Sequence, residues 1–446
     1  SGTNAHVVVE EAPVVEGAAG AGGVGGVSVV PWVVSGRGAG GLAVQAGRLA
    51  GFVGDGCGVD AVSVGAGLAR RGGLEDRAVV LGSDAGELCA GLGAVAEGGV
   101  PVRGVVGRVG GGRVGVVFSG QGAQRLGMGR GLYGEFGVFR EAFDAVVGEL
   151  EGWLGCGVRE VVWGDDAGVL EGTVFAQAGL FAVEVGLFRL VESWGVDVGC
   201  VMGHSVGELA AAHVAGVWSL PDAARVVAAR GRLMQGLPGG GAMAVVDAAE
   251  VRVSEVVESA VGRGACVDVA AVNGPRSVVV SGEEGAVEEV VGELAEEGCR
   301  VRRLGVSHGF HSALMEPVLE EFRAVLGEVS FSAPRLGVVS NVTGALAGAE
   351  ELCSPEYWVR HVRETVRFAD GVGAMARAGV SRFVELGPDG GLVSQVGECL
   401  EADAEAGRGA DEAVLVAALR RDRGEVESVV GAAADLWVHG ADVDWS

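Results

Sequence analysis

The sequence predicts an α/β protein built from three units, and three observations support this. Strand-like apolar runs alternate with helical stretches after residue 112, as in a largely parallel sheet with crossover helices. Between residues 242 and 304 the order changes to β-α-β-β-α-β, which is the ferredoxin-like split pattern. The 446 residues also correspond to roughly three units of about 150 residues each.

The first unit is predicted to be a small α/β domain. Residues 1–13 contain a strand-like run and begin without Met, so we expect the chain to be part of a longer polypeptide. A Gly/Ala stretch at 17–26 is typical of a flexible linker. Apolar patterning then predicts strands at 29–34 and 77–82 and helices at 42–53, 62–70 and 87–96. We interpret the glycine-rich run at 104–112 as a boundary.

The second unit begins with a buried-strand pattern at 114–118. The inserted third unit is predicted to have strands at 242–246, 267–271, 277–281 and 300–304, and helices at 249–259 and 284–297. The chain then returns to the larger unit with strands at 335–340 and 382–386. Residues 413–446 predict a strand and a helix that pack on the other units.

Charge and cysteine usage exclude several classes of function. A net charge of −26 disfavours nucleic acid or an anionic membrane as a partner, because both need clustered basic residues. Eight cysteines are scattered singly, which indicates reduced thiols and neither a disulfide framework nor a zinc site. Neither metal-ligand spacing nor a dinucleotide fingerprint is present, so no metal is expected. We find neither a signal-peptide pattern nor an uninterrupted apolar run of membrane-helix length, and we expect a cytoplasmic protein.

The run Gly-His-Ser-Val-Gly-Glu at 203–208 contains a G-x-S-x-G pattern between an apolar run and a helix-like run. In a strand–turn–helix context this pattern forms a nucleophile elbow. The two glycines allow a sharp turn and a close approach of other atoms to the serine. Ser205 is therefore the predicted nucleophile, and an ordinary turn is the alternative.

A nucleophilic serine needs a base, and the chain has seven histidines. Five of them lie in the terminal segments, in the elbow itself or in helix-like stretches: His6, His204, His213, His361 and His439. His308 and His311 remain, in a segment where the inserted unit rejoins the larger one. Either of them serves as the base, or the two form a buried hydrogen-bonded pair.

Four motifs resemble, in order and spacing, the acyltransferase domain of modular type I polyketide synthases. That domain is related to the malonyl-CoA:acyl-carrier-protein transacylases of fatty acid synthesis. The motifs lie at residues 120–124, 203–208, 229–235 and 308–311. The resemblance covers essentially the whole chain.

The resemblance implies an α/β-hydrolase-like large subdomain with an inserted ferredoxin-like small subdomain, preceded by a small α/β linker domain. It divides the chain into a ketosynthase C-terminal tail (1–13), a ketosynthase–acyltransferase linker domain (14–110), the acyltransferase (111–411) and a post-acyltransferase linker (412–446). Within the acyltransferase, the large subdomain comprises 111–240 and 307–411, and the small subdomain comprises 241–306.

The mechanism implied by the resemblance is ping-pong acyl transfer. Ser205 attacks the thioester of an acyl-coenzyme A, and His311 is the base, oriented by a backbone carbonyl that the sequence does not place. The backbone amides of Gln121 and Val206 form the oxyanion hole. The acceptor is the phosphopantetheine thiol of an acyl carrier protein, and no bound cofactor is expected. The product belongs to polyketide biosynthesis, for example of an antibiotic.

The resemblance also implies which acyl group the domain selects. Arg230 is expected to pair with the free carboxylate of the extender unit. His308 and Phe310 match the malonyl-selective type, and so does the branched Val206. Gly309 replaces an alanine, which leaves room for relaxed selectivity, so methylmalonyl or another substituted malonyl unit stays an alternative.

Two further residues are weaker candidates. Gln177 is a candidate for lining the pocket, with helix packing as the alternative. Asn273 is a candidate for contacting the pantetheine arm, with a simple turn asparagine as the alternative.

The expected partners are malonyl-CoA, an acyl carrier protein and the ketosynthase domain of the same polypeptide, with neither nucleic acid nor membrane. Two other functions stay open. A serine hydrolase or thioesterase would release acyl groups to water and has no use for Arg230. If the chain were a non-catalytic scaffold domain, some of the catalytic residues should be replaced. Ser205, His311, Gln121 and Arg230 are all present.

Overall fold

The computed structural model describes residues 28–54, 60–407 and 413–446. The predicted tail at 1–13 and the predicted linker at 17–26 lie outside the described residues. The strands are β1 (Val30–Gly36), β2 (Asp76–Gly82), β3 (Gly104–Arg108), β4 (Arg113–Phe118), β5 (Val198–Gly203), β6 (Gly241–Val246), β7 (Val267–Gly274), β8 (Ser277–Glu283), β9 (Val301–Arg303), β10 (Gly337–Val339), β11 (Val380–Leu386) and β12 (Val414–Ala417).

The helices in the first half of the chain are α1 (Gly38–Gly54), α2 (Ala61–Ala69), α3 (Ala85–Ala96), α4 (Arg130–Glu135), α5 (Gly137–Leu154), α6 (Val158–Val162), α7 (Ala167–Glu171), α8 (Thr173–Ser193), α9 (Val206–Ala215) and α10 (Leu220–Gln235). Those in the second half are α11 (Glu250–Gly262), α12 (Glu284–Glu296), α13 (Glu316–Leu326), α14 (Ala349–Leu352), α15 (Pro355–Arg363), α16 (Phe368–Arg377), α17 (Gly391–Glu405) and α18 (Glu425–Val438). A short 3₁₀ helix, Ala313–Met315, precedes α13.

The first sheet is antiparallel, with the order β1-β2-β3. Its core contains Trp32, Leu88 and Leu92, whose side chains are fully buried. The run at 104–112 includes β3, which completes this sheet, and the residues that lead to β4 of the next sheet. A side chain at Gly104 would clash with the carbonyl of Val79 at 2.2 Å, so glycine here is what allows the strand to pair.

The second sheet positions the site. It has the order β10-β5-β4-β11-β12, and every strand pair in it is parallel. Because neighbouring parallel strands end at the same edge, the residues that follow β4, β5, β10 and β11 converge there. The predicted mixed α/β fold with a parallel sheet is confirmed.

The third sheet lies between β6 and β9, with the order β7-β8-β6-β9 and antiparallel pairing throughout. Helices α11 and α12 cover it and share a separate apolar core with its strands. The residues of this core are mainly valine and alanine, which fit a pleated, half-buried surface. The division of the chain into named domains stays a prediction.

One helix among the described residues is long and apolar enough to span a membrane: α8, with 21 residues. In the structure, 89% of its most apolar 18-residue window is buried inside the protein. Helix α8 is therefore the central core helix of the larger unit, packed against α5, α9 and α10.

Residues 413–446 join two of the units. Strand β12 extends the parallel sheet beside β11, whereas α18 packs on β2 and β3 of the first sheet. Arg77 donates a hydrogen bond to the carbonyl of Trp437 at 2.7 Å, and Arg103 pairs with Glu427 at 3.0 Å. The prediction that this segment packs on the other units is confirmed.

Candidate active site

Ser205 lies at the turn between β5 and α9. Its backbone has φ 51° and ψ −110°, a conformation that non-glycine residues rarely adopt. A side chain at Gly203 would lie 1.9 Å from the carbonyl carbon of Gly207, and one at Gly207 would lie 2.5 Å from the carbonyl oxygen of Ser119. Both flanking positions therefore require glycine, and the turn has the form of a nucleophile elbow.

His311 is the histidine that reaches Ser205. Its Nε2 lies 2.7 Å from Ser205 Oγ, and its Nδ1 lies 2.9 Å from the backbone carbonyl of Glu364. Because a carbonyl can only accept, Nδ1 carries the proton and the Nε2 lone pair faces the serine. Burial, and then the charge of Arg230, hold the pKa of His311 well below its usual value. The imidazole is thus neutral at neutral pH and able to accept a proton.

Arg230 projects from α10 into the same site. It is 3% exposed, and its Nη2 donates to Ser205 Oγ at 2.9 Å. Within the described ranges, no carboxylate lies at ion-pair distance from it, and its Nε has no hydrogen-bond partner. Burial lowers its pKa to about 10, partly offset by the charge of Glu208. A buried cation with free donors is costly unless an anion arrives to pair with it.

A buried polar network behind the elbow was missed by sequence reasoning, and Asn341 is its centre. The Asn341 Oδ1 accepts from the Ser205 amide at 2.7 Å, and its Nδ2 donates to the carbonyl of Gly203 at 2.6 Å. Its own amide donates to Glu208 Oε2 at 2.8 Å. Tyr357 donates to the other oxygen of Glu208, and His361 Nε2 lies 3.3 Å from Glu208 Oε2.

A signal for Asn341 was present in the sequence. It directly follows Ser340 and the apolar strand β10, and polar residues after a parallel strand gather at the ligand-binding edge of a sheet. The pattern predicts that Asn341 lies at this edge, but it does not predict that its side chain hydrogen-bonds the backbone of Ser205.

A cavity of about 410 Å³ opens above Ser205. The predicted oxyanion residue Gln121 and both weaker candidates, Gln177 and Asn273, line it. Gln177 Nε2 lies 3.5 Å from Gln121 Oε1, and Asn273 Oδ1 lies 2.8 Å from His204 Nε2. Val206 is the first residue of α9, so its amide is one of those that a helix start leaves without an intrahelical partner.

Two of the predicted specificity residues, Phe310 and His308, lie next to each other beside the cavity. Phe310 lines the cavity, and the His308 ring lies 5.9 Å from the Phe310 ring. The His308 Nε2 lies 3.1 Å from the carbonyl of Leu237, which fixes the ring. Both side chains also line a neighbouring cavity of about 320 Å³.

Gly309 and Val206 are not among the residues that line the cavity. A methyl group at Gly309 would face Leu314 at 2.9 Å, and the carbonyl of Gly282 and Ser312 Oγ at 3.1 Å, where the loop meets the small subdomain. The Val206 side chain is buried, with 1% exposed. The relaxed selectivity expected from Gly309 and the size-filter role of Val206 stay predictions.

Comparisons with known proteins agree with this geometry. Residues 116–443 match the family described as the acyl transferase domain. The chain is 53% identical over 464 residues to polyketide synthase GfsA from Streptomyces halstedii, covering 100% of this chain and 6% of that relative. It thus spans a small part of the length of the curated relative.

Two solved structures extend the match to the fold. The acyltransferase domain from the second module of the salinomycin polyketide synthase has 49% identity and a TM-score of 0.78, covering 91% of this chain and 92% of that one. The malonyl-CoA:acyl carrier protein transacylase from Xanthomonas oryzae has 28% identity and a TM-score of 0.64, covering 74% and 99%. The chain belongs to the acyl transferase domain family and is an acyltransferase domain of the modular polyketide synthase type.

Proposed function

We propose that this acyltransferase moves a malonyl group from coenzyme A, through an ester of Ser205, to the phosphopantetheine thiol of an acyl carrier protein. One observation carries the proposal. Arg230, a buried arginine without a carboxylate partner among the described residues, has its Nη2 2.9 Å from the oxygen of the proposed nucleophile. A malonyl thioester can pair its free carboxylate with this guanidinium while its thioester carbonyl faces Ser205.

In the first half-reaction, Ser205 Oγ attacks the thioester carbonyl carbon while its proton passes to His311 Nε2. The developing oxyanion is held by the amides of Gln121 and Val206, and such donors are typically worth about 10²–10³ in rate each. The C–S bond breaks, and the coenzyme A sulfur leaves with the proton from His311. The malonyl group then remains on Ser205.

In the second half-reaction, His311 takes the proton of the phosphopantetheine thiol. The sulfur attacks the ester carbonyl, the C–Oγ bond breaks, and Ser205 regains its proton from His311. The base is used twice in each cycle and returns to its starting state.

The malonyl assignment has a separate basis. Phe310 lines the cavity and is backed by His308, so the wall beside Ser205 is bulky. A branched extender would need to displace this wall. A methyl group at Gly309 would face Leu314 and the carbonyl of Gly282, away from the residues that line the cavity, so this glycine is compatible with malonyl selectivity.

The partners and location follow from the same proposal. The acceptor is an acyl carrier protein, and the preceding residues 1–13 belong to a ketosynthase of the same cytoplasmic polypeptide. The assignments of 14–110 and 412–446 as linkers are part of this proposal. In the structure, β12 and α18 connect the first sheet to the parallel sheet.

A transfer assay tests the function. The protein is incubated with malonyl-CoA, with and without a carrier protein bearing phosphopantetheine, and malonate and malonyl-carrier are quantified. We expect malonyl-carrier to form at least tenfold faster than free malonate. If malonate accumulates equally fast with and without the carrier, the protein is a hydrolase and the proposal is wrong. Ser205→Ala is the matched control for background transfer.

A further inference from the structure

Glu385 is a buried carboxylate at the edge of the site that the mechanism above does not use. It lies near the end of β11, is 2% exposed and lines the cavity. Its Oε1 accepts from Ser119 Oγ at 2.8 Å, and its Oε2 accepts from the amides of Leu392 and Val393 at 2.8 and 3.0 Å. One side chain therefore ties the loop after β4 to the start of α17.

The loop held by Glu385 carries the proposed oxyanion donor. Ser119 is two residues before Gln121. A side chain at Gly387 would lie 1.8 Å from Ser119 Oγ, and one at Gly120 would lie 2.8 Å from His204 Nδ1. The loop from Ser119 to Gln121 is thus tightly packed between β11 and the elbow. A shift of Ser119 would therefore move the Gln121 amide relative to Ser205.

A second buried carboxyl, Glu184 of α8, influences the ionisation of this pair. Its side chain is fully buried. Burial, and then the charge of Glu385, raise the pKa of Glu184 well above its usual value, and the backbone amide of Ser119 offsets part of this rise. We therefore expect Glu184 to be protonated over the range in which Glu385 ionises.

Glu385 itself titrates in the neutral range. Burial raises its pKa to about 7, while its bonds to Ser119 and to the α17 amides favour the charged form. The titratable and charged groups around it are Glu184 of α8, Asp389 before α17, and Arg230, Arg302, His204 and His311 across the same cavity. Strand β12, its neighbour at Ala417, carries no titratable residue.

We propose that Glu385 is a positioning residue for acyl transfer, whose ionised carboxylate holds Ser119 and thereby the Gln121 amide in place. The inference rests on the proposed function, because it concerns the same oxyanion hole. When Glu385 is protonated, the charge-assisted bond from Ser119 is replaced by a weaker bond between neutral groups, and the loop is held less firmly. Activity therefore rises with pH as Glu385 ionises.

The test measures single-turnover acylation of Ser205 by malonyl-CoA between pH 5.5 and 8.5. The wild type is expected to gain activity through about pH 7, above the range in which His311 titrates. Glu385→Gln keeps the size and the hydrogen-bonding shape but cannot ionise. We expect it to lose this rise and to react about tenfold more slowly at pH 8, with KM changed less than about twofold.

Two further variants make the result specific. Glu184→Gln replaces a carboxyl that is already neutral, so it should keep the rise at the same pH. Ser119→Ala removes the link itself; in that background Glu385→Gln should add less than about a twofold effect. If Glu385→Gln does not fold, the acylation rate of Ser119→Ala still measures the effect of losing the Ser119–Glu385 hydrogen bond.

The inference is overturned if Glu385→Gln keeps the pH-dependent rise, or if Glu184→Gln abolishes it. It is also overturned if the effects of Ser119→Ala and Glu385→Gln multiply fully. A wild type that is not acylated at any pH would instead contradict the proposed function. The two failures are thus separable in one data set.

Discussion

Ser205 Oγ lies 2.7 Å from His311 Nε2, and both residues have positive φ, 51° and 56°; among the described residues they are the only non-glycines that do. Such backbone conformations cost on the order of 1–3 kcal/mol each and persist only where their surroundings enforce them. Asn341 supplies that enforcement at Ser205 through two hydrogen bonds. At His311, the following residues are held by Ser312 Oγ on the carbonyl of Gly309 and by Asp268 on the amide of Ala313.

Replacing Arg230 should change which acyl group is accepted. In Arg230→Ala the malonate carboxylate loses its buried partner, which costs roughly 3–5 kcal/mol, or about 10²–10⁴ in kcat/KM. Acetyl-CoA lacks that carboxylate and should become relatively favoured. Arg230→Lys, which keeps the charge but not the fork geometry, is the matched control and should recover part of the activity. An unchanged malonyl-to-acetyl ratio in Arg230→Ala would remove this residue from the site.

Replacing Asn341 should disturb the nucleophile without touching the substrate. Asn341→Ala leaves the Ser205 amide and the Gly203 carbonyl without partners in a buried place. We expect kcat to fall about 10–100-fold and the free energy of unfolding to fall by about 1–3 kcal/mol. The measurements are acylation kinetics and urea unfolding. Thr343→Ala, an exposed position two residues later, is the control and should change neither quantity.

The loop at 308–311 offers a pair of contrasting substitutions. In Gly309→Ala the new methyl faces Leu314 and Gly282, so we expect unchanged malonyl-to-methylmalonyl selectivity and a stability loss of about 1 kcal/mol. In Phe310→Ser the cavity wall itself is cut back, and methylmalonyl-CoA should gain about tenfold relative to malonyl-CoA. Competition between the two thioesters measures both. A large selectivity change in Gly309→Ala alone would show that the loop acts through its backbone.

Mild acid should destabilise the fold through its buried histidines. Burial lowers the pKa of His213 to about 4, from an ordinary value of 6.5. As the pH falls below 6.5, His213 is protonated in the unfolded chain but stays neutral in the folded chain. The free energy of unfolding therefore decreases from pH 6.5 down to about 4. The loss approaches about 1.4 kcal/mol per pH unit for each such histidine.

Urea unfolding at pH 7.5 and 5.5 tests this effect. His204 and His311 also have lowered pKa values and add to the wild-type loss. His213→Gln should reduce the difference between the two pH values by about 1 kcal/mol. Equal differences in the wild type and the variant would show that His213 takes up its proton in the folded state.

The sequence predicted the fold class and the elbow itself because both are encoded locally, whereas Gln121, Arg230 and the choice of His311 were implied by the resemblance to the acyltransferase domains. The apolar strand before Gly203 and the glycines at 203 and 207 specify the turn wherever the chain folds. The β-α-β-β-α-β order of the inserted unit was likewise visible in its alternating runs, and its strands pair antiparallel in one sheet.

The parts of the site that the sequence did not predict depend on contacts between residues far apart in the chain. The carbonyl of Glu364 orients His311 from 53 residues away, and Asn341 reaches Ser205 across 136 residues. A backbone carbonyl carries no residue signature, so no pattern could identify it. Strand β3 was not predicted, because a glycine within a strand cannot be told from a glycine in a turn without the partner strand.

The most direct test of the account is the intact mass of the protein after mixing with equal amounts of malonyl-, methylmalonyl- and acetyl-CoA. We predict one dominant adduct with the mass of a malonyl group, present in the wild type and absent in Ser205→Ala. An adduct that persists in Ser205→Ala would show that another residue is the nucleophile. A predominant acetyl adduct on the wild type would contradict the role of Arg230 as the reader of a carboxylate.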